Sequence, residues 1–579
     1  MLNFIKHCTI IIVSNFIQIN FFRKSGTMNS IPEDLKCIVE TKDGPICGFI
    51  DKSEEGTYCR FKSIPYAKPP LGCLRFLPPK PIKPWDQIID CTKNAPESIF
   101  HTEKDEYGCN EDCLYIEIST PNIQPKEPMP VMFWIGCFGY AIVKDKICDP
   151  SLINDQNIVF VRCGFRLGPF GFLSINDYTA PGNCGLKDIV MALKWIQRNI
   201  SLFGGDPNNV TLFGHSSGGA MVHLMMLSPM ATGLFHKAII QSVSALNNWS
   251  LAKNPSQPVW DLANVLGIKK STEVEVVEQL RLISANDILN AFHKMLMDAK
   301  AANSDAIDAI FKPCIELDYE GQPAFITKSP PIVMKSGNFN KVPLIIGSLN
   351  VEGAVLQYAV KDFYADYEKY NENVSLLVPK SLAREDKLSK NIGHQLLKFY
   401  LGGEEHLRAD TRTQYLQLIS DYYFSYYVNK TVRLHSQFAP ECPIYYYIIN
   451  YAGEWSVPKH LDFFNSVGHS AELPFLFKIK IPETCKGSRD AIITRSRVIK
   501  MWTNFAKTGN PTPDDNDPLL QITWDPVENK DKLNYLSIGS ELTKGRNPFD
   551  ERMKFWDTLH QEHAFLRALV YFNDLGVSW

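Results

Sequence analysis

The sequence predicts an α/β fold: a large, mostly parallel central sheet with helices on both faces and a helical cap inserted into it. Three observations carry this expectation. Short apolar runs of strand length, Val131–Ile135, Asn157–Val161 and Asn209–Phe213, recur along the chain. Between the last two, the stretch from Leu186 to Ile200 holds Ile189, Val190, Leu193 and Ile196 at helical spacing. Strand, helix, strand is the order that a parallel sheet requires.

The elements follow in chain order. Residues 1–28 form a leader, disordered or a weak signal: the apolar stretch Met1–Phe22 is broken by Ser14, Asn15, Gln18 and Asn20. It is too polar for a membrane span, and no stable membrane insertion is expected. Residues 29–560 read as a single domain and 561–579 as a C-terminal tail. Prolines 65, 69, 70, 78, 79, 81 and 84 make the early part a loop-rich wrap with few ladder hydrogen bonds. Gly204-Gly205-Asp206-Pro207 breaks the chain before the strand at Asn209. From Ser250 to about Asp308 the pattern is helical, as an insertion or cap.

Composition narrows the function. Charged residues are 21% of the 579, and 60 Lys+Arg against 63 Asp+Glu leave a formal charge of -3. No basic excess suggests a nucleic-acid partner. Aromatic residues reach 12%, enough to line an apolar pocket. The 15 cysteines include no C-x-x-C pair and no Cys/His zinc ladder, so no metal and no cofactor are expected.

The strongest chemical signal is Gly214-His215-Ser216-Ser217-Gly218-Gly219. It follows a strand and precedes a helix-compatible stretch, the context of a G-x-S-x-G nucleophile elbow. Residues two before and two after the serine crowd together, which is why both are glycine. The Ser217 backbone N–H, at the helix start, can face a developing oxyanion. A serine hydroxyl needs a base, and the base a carboxylate to orient it. His469, in the Gly-flanked loop Val467–Leu473, is the candidate base. Glu352, after the strand-like run Val342–Gly347, is the candidate acid, because active residues collect at the carboxyl ends of such strands. His215 and His223 flank the elbow, but helix geometry points both away from the Ser216 hydroxyl.

Ordered stretches from about Val39 to Leu559 resemble the type B carboxylesterase and cholinesterase family of the α/β-hydrolase fold. They include Phe61–Pro70, Asn110–Tyr115, Arg166–Leu173, Gly182–Asp188, Phe203–Pro207, Gly347–Gly353, Gly468-His469 with Glu472-Leu473, and Trp502–Pro511. The resemblance implies a serine esterase with Ser216 as nucleophile, His469 as general base and then acid, and Glu352 as the orienter of His469. It also implies salt bridges Arg75–Glu111 and Arg166–Asp188, and Trp249 as a wall of the acyl pocket. The partner is a small-molecule ester, apolar and xenobiotic or lipid-derived, as in detoxification; the protein would be a monomer or homodimer. An acetylcholinesterase is disfavoured, because His101–Asn110 holds no tryptophan ahead of Glu111-Asp112.

The chain departs from the family pattern twice. The partner position of the family's first disulfide, which would bond Cys113, reads Ser98, with Cys91 and Cys109 nearby but unmatched. This loss resembles the insect intracellular α-esterase branch and points to free thiols and a cytoplasmic enzyme, the alternative being secretion or membrane association if residues 1–27 act as a signal. Five N-x-S/T sequons (Asn199, Asn209, Asn248, Asn373, Asn429) are weak support for secretion, the first two falling in a predicted helix and strand. The other departure is at the oxyanion loop. Where the family has His-Gly-Gly-Gly-Phe, this chain reads Gly136-Cys137-Phe138-Gly139-Tyr140. Without a gap the donors would be Phe138 and Gly139; with a two-residue deletion they are Gly136 and Cys137, joined by Ser217. The expectation is an unusual or impaired oxyanion hole. The alternative function is a low-turnover homologue that sequesters esters or organophosphates, or serves in adhesion.

Overall fold

The computed structural model describes residues 36–574 apart from internal segments at 53–55, 101–108, 143–147, 302–308, 356–362, 380–381, 383–385, 452, 454, 456–466 and 480–486. The expected leader, the last five residues of the tail and most of the His101–Asn110 stretch lie outside the described residues. A C-terminal helix, Asp550–Asp574, runs straight across the expected boundary at residue 561.

A 13-stranded sheet organises the chain. Its strands are β1 (Lys36–Thr41), β2 (Gly44–Lys52), β3 (Thr57–Pro65), β4 (Ile89–Asp90), β5 (Tyr115–Thr120), β6 (Met129–Ile135), β7 (Val159–Cys163), β8 (Gly205–His215), β9 (Lys237–Gln241), β10 (Leu344–Leu349), β11 (Ile444–Ile449), β12 (Asn534–Ile538) and β13 (Leu542–Arg546). The spatial order is β1-β2-β3-β5-β7-β6-β8-β9-β10-β11-β12-β13, with β4 on β2. From β7 to β12 every neighbouring pair is parallel. The antiparallel pairs sit towards the two edges.

The sequence explains this division. Parallel strands covered on both faces read as unbroken apolar runs. All six residues of β10 and of β11 are buried. Along β6 the side chains alternate. Val131, Phe133 and Ile135 enter one core cluster, with the helices Cys184–Asn199 and Ser217–Leu227. Met132 and Trp134 enter a second, with Trp502 and Phe505 of the helix Arg489–Thr508. The Gly204–Pro207 stretch is a bulge, not a break: β8 already starts at Gly205, and its pairing with β6 slips between Met129 and Val131.

Both expected ion pairs form. Arg75 Nη2 meets Glu111 at 2.6 Å, and Arg75 Nη1 reaches the carbonyls of Leu280 and Ile283 at 2.9 and 2.7 Å. That arginine ties the inserted helices Gln257–Val265, Glu273–Leu282 and Ala285–Ala301 to the sheet domain. Arg166 Nη2 meets Asp188 at 2.7 Å.

The cysteines are mixed. Cys91 and Cys113 are free thiols. Buried Cys113, pushed up to about 12 by desolvation, lies against Ser98, the position read as its missing partner. Cys37 and Cys59, however, form a disulfide, so the expectation of free thiols does not hold at the β1–β3 edge. Among the described residues no helix is long and apolar enough to cross a membrane.

Behind the elbow helix, two buried histidines meet: His435 Nε2 lies 3.1 Å from His223 Nε2. The Ala245 N–H donates to His223 Nδ1, which is therefore unprotonated. The proton of neutral His223 then sits on Nε2 and is donated to His435. Burial pushes His435 down to about 4, and burial with the His435 charge pushes His223 well below 6.5. A folded pKa below the unfolded one means that the unfolded chain binds more protons as pH falls. The pair's stabilising share is therefore present above pH 6.5 and shrinks as pH falls towards 4. His435→Gln should accordingly gain on the wild type in melting temperature between pH 7.5 and 5. A constant difference would contradict the assignment.

Candidate active site

β8 delivers the chain to a sharp turn. Ser216 has φ 58° and ψ -131°, a conformation L-residues avoid, and it caps the helix Ser217–Leu227. Its N–H donates to Gln241 O at 3.0 Å, and its carbonyl accepts from Ala220 N–H at 3.0 Å. The two glycines of the motif are sterically required. A Cβ at Gly218 would lie 2.1 Å from Ile135 O, and one at Gly214 would lie 2.7 Å from the Gly218 backbone. The packing that forbids side chains there brings the end of β6 against the serine.

The candidate acid and base come from the ends of two neighbouring stretches. Glu352 follows β10, is fully buried and accepts the Leu349 N–H on Oε1 at 2.7 Å. Val351 N–H bonds Val467 O at 3.1 Å, so the histidine loop is stitched to the acid loop. Across this seam Glu352 Oε2 lies 2.7 Å from His469 Nδ1. A carboxylate there holds the proton on Nδ1 and leaves the Nε2 lone pair available. Ser216 Oγ makes no hydrogen bond to His469 among the described residues. Such contacts often close only when substrate is bound.

Other groups crowd His469 that sequence reasoning did not single out. The His215 ring lies tilted at 4.4 Å from the His469 ring. His215 Nε2 is also 3.5 Å from Glu472 Oε1, which accepts from Ser242 Oγ at 3.3 Å. Burial, then the charge of His469, keeps His215 well below its usual value, so it stays neutral beside the base. Burial, then the neighbouring Glu352, pushes Glu472 up to about 8. The signal was in the quoted histidine loop: Glu472 is three residues after His469. Only the fold shows that it meets His215.

The loop read as the oxyanion loop closes on itself. Phe138 N–H donates to Ile142 O at 2.8 Å, closing a tight turn through Gly139 and Tyr140, both at positive φ. That bond withdraws Phe138 from any role as donor. Cys137 N lies 3.7 Å from the position a Cβ on Gly218 would take, so its backbone sits over the elbow. Its side chain turns into the core, with Sγ 3.1 Å from Ser217 Oγ and 3.8 Å from Met221 Sδ. Ser217 Oγ in turn donates to Cys137 O at 3.0 Å. The Ser217 N–H belongs to the first helical turn, whose amides have no intrahelical acceptor. Cys137 and Ser217 are thus brought together, while the Phe138 N–H is engaged within the loop.

Aromatic side chains wall the same region. The buried Trp249 indole donates to Tyr423 O at 3.0 Å. Its ring lies 6.3 Å from Tyr140 and 6.4 Å from Phe424, whose own ring is 4.8 Å from His469. No group of three or more His, Cys, Asp or Glu side chains among the described residues is arranged to hold a metal ion. The arrangement can attack a carbonyl, shuttle a proton and offer backbone donors to an oxyanion.

Comparison with known proteins agrees in scope. A family model described as "Carboxylesterase family" matches residues 36–556. The juvenile hormone esterase of Tribolium castaneum is 32% identical over 561 residues, covering 90% of this chain and 93% of that protein. Carboxylesterase 1E of Mus musculus is 29% identical over 549 residues, 90% and 93% of the two chains. The crystal structure of juvenile hormone esterase from Manduca sexta with OTFP covalently attached superposes with a TM-score of 0.79 at 26% identity, covering 91% of this chain and all of that one.

Proposed function

Because this chain belongs to the carboxylesterase family and is a carboxylic ester hydrolase, we propose that it works by acyl transfer through Ser216, His469 and Glu352. The observation that carries this reading is the 2.7 Å contact between Glu352 and His469 beside a strained Ser216. His469 Nε2 takes the proton of Ser216 Oγ as that oxygen attacks the ester carbonyl. The carbonyl π pair moves onto oxygen, where the N–H groups of Gly136, Cys137 and Ser217 stabilise it. The pair returns, the C–O bond to the alcohol breaks, and His469 protonates the departing oxygen. Water then adds to the acyl-enzyme with His469 again as base, and the carboxylic acid leaves with Ser216 regenerated. Glu352 stabilises the imidazolium and fixes its tautomer throughout.

The substrate class follows from the wall. Phe424 lies beside His469, and Trp249 and Tyr140 continue the aromatic wall from it, which favours apolar esters of xenobiotic or lipid origin. The Cys37–Cys59 disulfide favours an oxidising compartment over the cytoplasm expected from sequence. The test is hydrolysis of p-nitrophenyl acetate and butyrate by purified protein, with and without Ser216→Ala, followed from the first turnover. Steady release of nitrophenol that needs Ser216 supports the esterase; a single burst without turnover supports sequestration, the reading that the shortened oxyanion loop would favour.

The oxyanion assignment gives a separate expectation. Cys137 acts through its backbone, so Cys137→Gly should leave kcat within about threefold of wild type while lowering the melting temperature, the lost buried thiol costing about 1 kcal/mol. A fall in kcat of about 10²-fold, the size of a lost oxyanion donor, with the fold intact, would mean that the thiol itself matters.

A further inference from the structure

The helix Arg412–Ser420 passes through one π-turn, Asp421–Ser425, into the helix Tyr426–Phe438. A π-turn inserts a residue and displaces carbonyls from their usual intrahelical partners. Tyr423 O accepts instead from the Trp249 indole at 3.0 Å and from Asn247 Nδ2 at 2.6 Å. The next residue, Phe424, lies 4.8 Å from the His469 ring. One irregular turn thus places two walls of the pocket.

The turn begins at a fully buried carboxylate, Asp421. Its Oδ2 accepts from Tyr400 OH at 2.5 Å and pairs with Arg552 Nε at 3.2 Å. Trp556 Nε1 donates to the same tyrosine oxygen at 2.8 Å. Arg552 and Trp556 both belong to the C-terminal helix. The other oxygen, Oδ1, has no hydrogen-bond partner among the described residues. Burying a half-satisfied carboxylate is costly. The acyl-transfer steps do not use it.

We propose that Asp421 is a positioning residue: held by Arg552 of the C-terminal helix and by Tyr400 at the end of the helix Asp386–Tyr400, it fixes the π-turn so that Phe424 and the Tyr423 carbonyl shape the acyl pocket, and so sets which acyl groups are turned over. This rests on the reading of Ser216 as nucleophile and places selectivity under the control of a helix that does not touch the reacting atoms.

The test compares kcat and KM on p-nitrophenyl acetate and p-nitrophenyl octanoate. Asp421→Asn should change the ratio of the two kcat/KM values by about fivefold or more, since small displacements beside a reacting centre have large effects. Arg552→Lys, which keeps the charge, should hold the ratio near wild type. Val498→Ala, a cavity in the opposite core, should lower the melting temperature and leave the ratio alone. Trp249→Phe combined with Asp421→Asn should be non-additive, because both act through Tyr423 O. An unchanged ratio in a folded Asp421→Asn protein, or additive effects in the double variant, overturns the proposal. Should Asp421→Asn not fold, Tyr400→Phe removes the hydrogen bond to Asp421, together with the one from Trp556, and should still shift the ratio by about twofold; no shift overturns the proposal equally. Failure of the esterase reading itself would look different: wild-type hydrolysis would survive Ser216→Ala.

Discussion

Ser216→Ala should reduce kcat on a nitrophenyl ester by about 10⁵-fold or more while leaving the protein folded. The size follows from the unit nature of a serine, histidine and carboxylate set: removing the nucleophile alone forfeits what all three supply, and only oxyanion and binding contributions remain. The fold should survive because the side chain is small and makes no side-chain hydrogen bond that holds the turn. The strained backbone of Ser216 is held by Gln241 O and by the glycine contacts on either side, none of which involve the hydroxyl. Melting temperature and rate, measured on the same preparation, separate the two effects. Undiminished hydrolysis in a folded variant would remove Ser216 from the mechanism.

Arg166→Leu should be the most destabilising single change outside the active site. Asp188 is wholly buried and accepts from Arg166 Nε at 2.8 Å, Nη2 at 2.7 Å and the Arg166 backbone N–H at 3.1 Å. Arg166 Nη1 also donates to Leu77 O at 2.7 Å. The Asp188 charge, beside Arg166, raises the guanidinium above its usual range against the opposing effect of burial. Without the arginine an uncompensated carboxylate remains in the core, a loss of about 3–5 kcal/mol. Adding Asp188→Leu should recover much of that loss, because two apolar groups replace the pair with nothing left unpaired. Thermal denaturation of the three variants decides it: a double variant no better than Arg166→Leu would mean that Arg166 acts through its carbonyl contacts instead. The consequences reach the active site, since Gly168, two residues on, donates to Tyr140 O at 2.8 Å in the oxyanion loop.

Some of this was legible in the sequence and some was not, for physical reasons. The elbow was legible because steric crowding around Ser216 leaves only glycine at positions 214 and 218, and strand and helix patterns flank it. The central strands were legible because burial on both faces forces unbroken apolar runs. Glu352 and His469 were legible in part: each has a local context, but their 2.7 Å contact joins segments 117 positions apart. The meeting of His215 with His469 was not legible, because it depends on where the histidine loop lands. The π-turn at Asp421–Ser425 has no periodic signature, and it is held by Tyr400 and Arg552 from distant segments. The Cys37–Cys59 bond was missed because β1 and β3 are not neighbours in the sheet: β2 lies between them. The oxyanion loop left two alignments open, and the Phe138–Ile142 hydrogen bond supports the one in which Phe138 is not a donor.

The central claim is that Ser216 is the nucleophile that becomes acylated. It is tested most directly by incubating the wild-type protein with the organophosphate paraoxon and mapping the adduct by peptide mass spectrometry. The account predicts one diethylphosphoryl group, carried on Ser216, appearing in step with the loss of ester hydrolysis and absent from Ser216→Ala. Complete inhibition with the group on another residue, or hydrolysis that persists after Ser216 is fully modified, would contradict it.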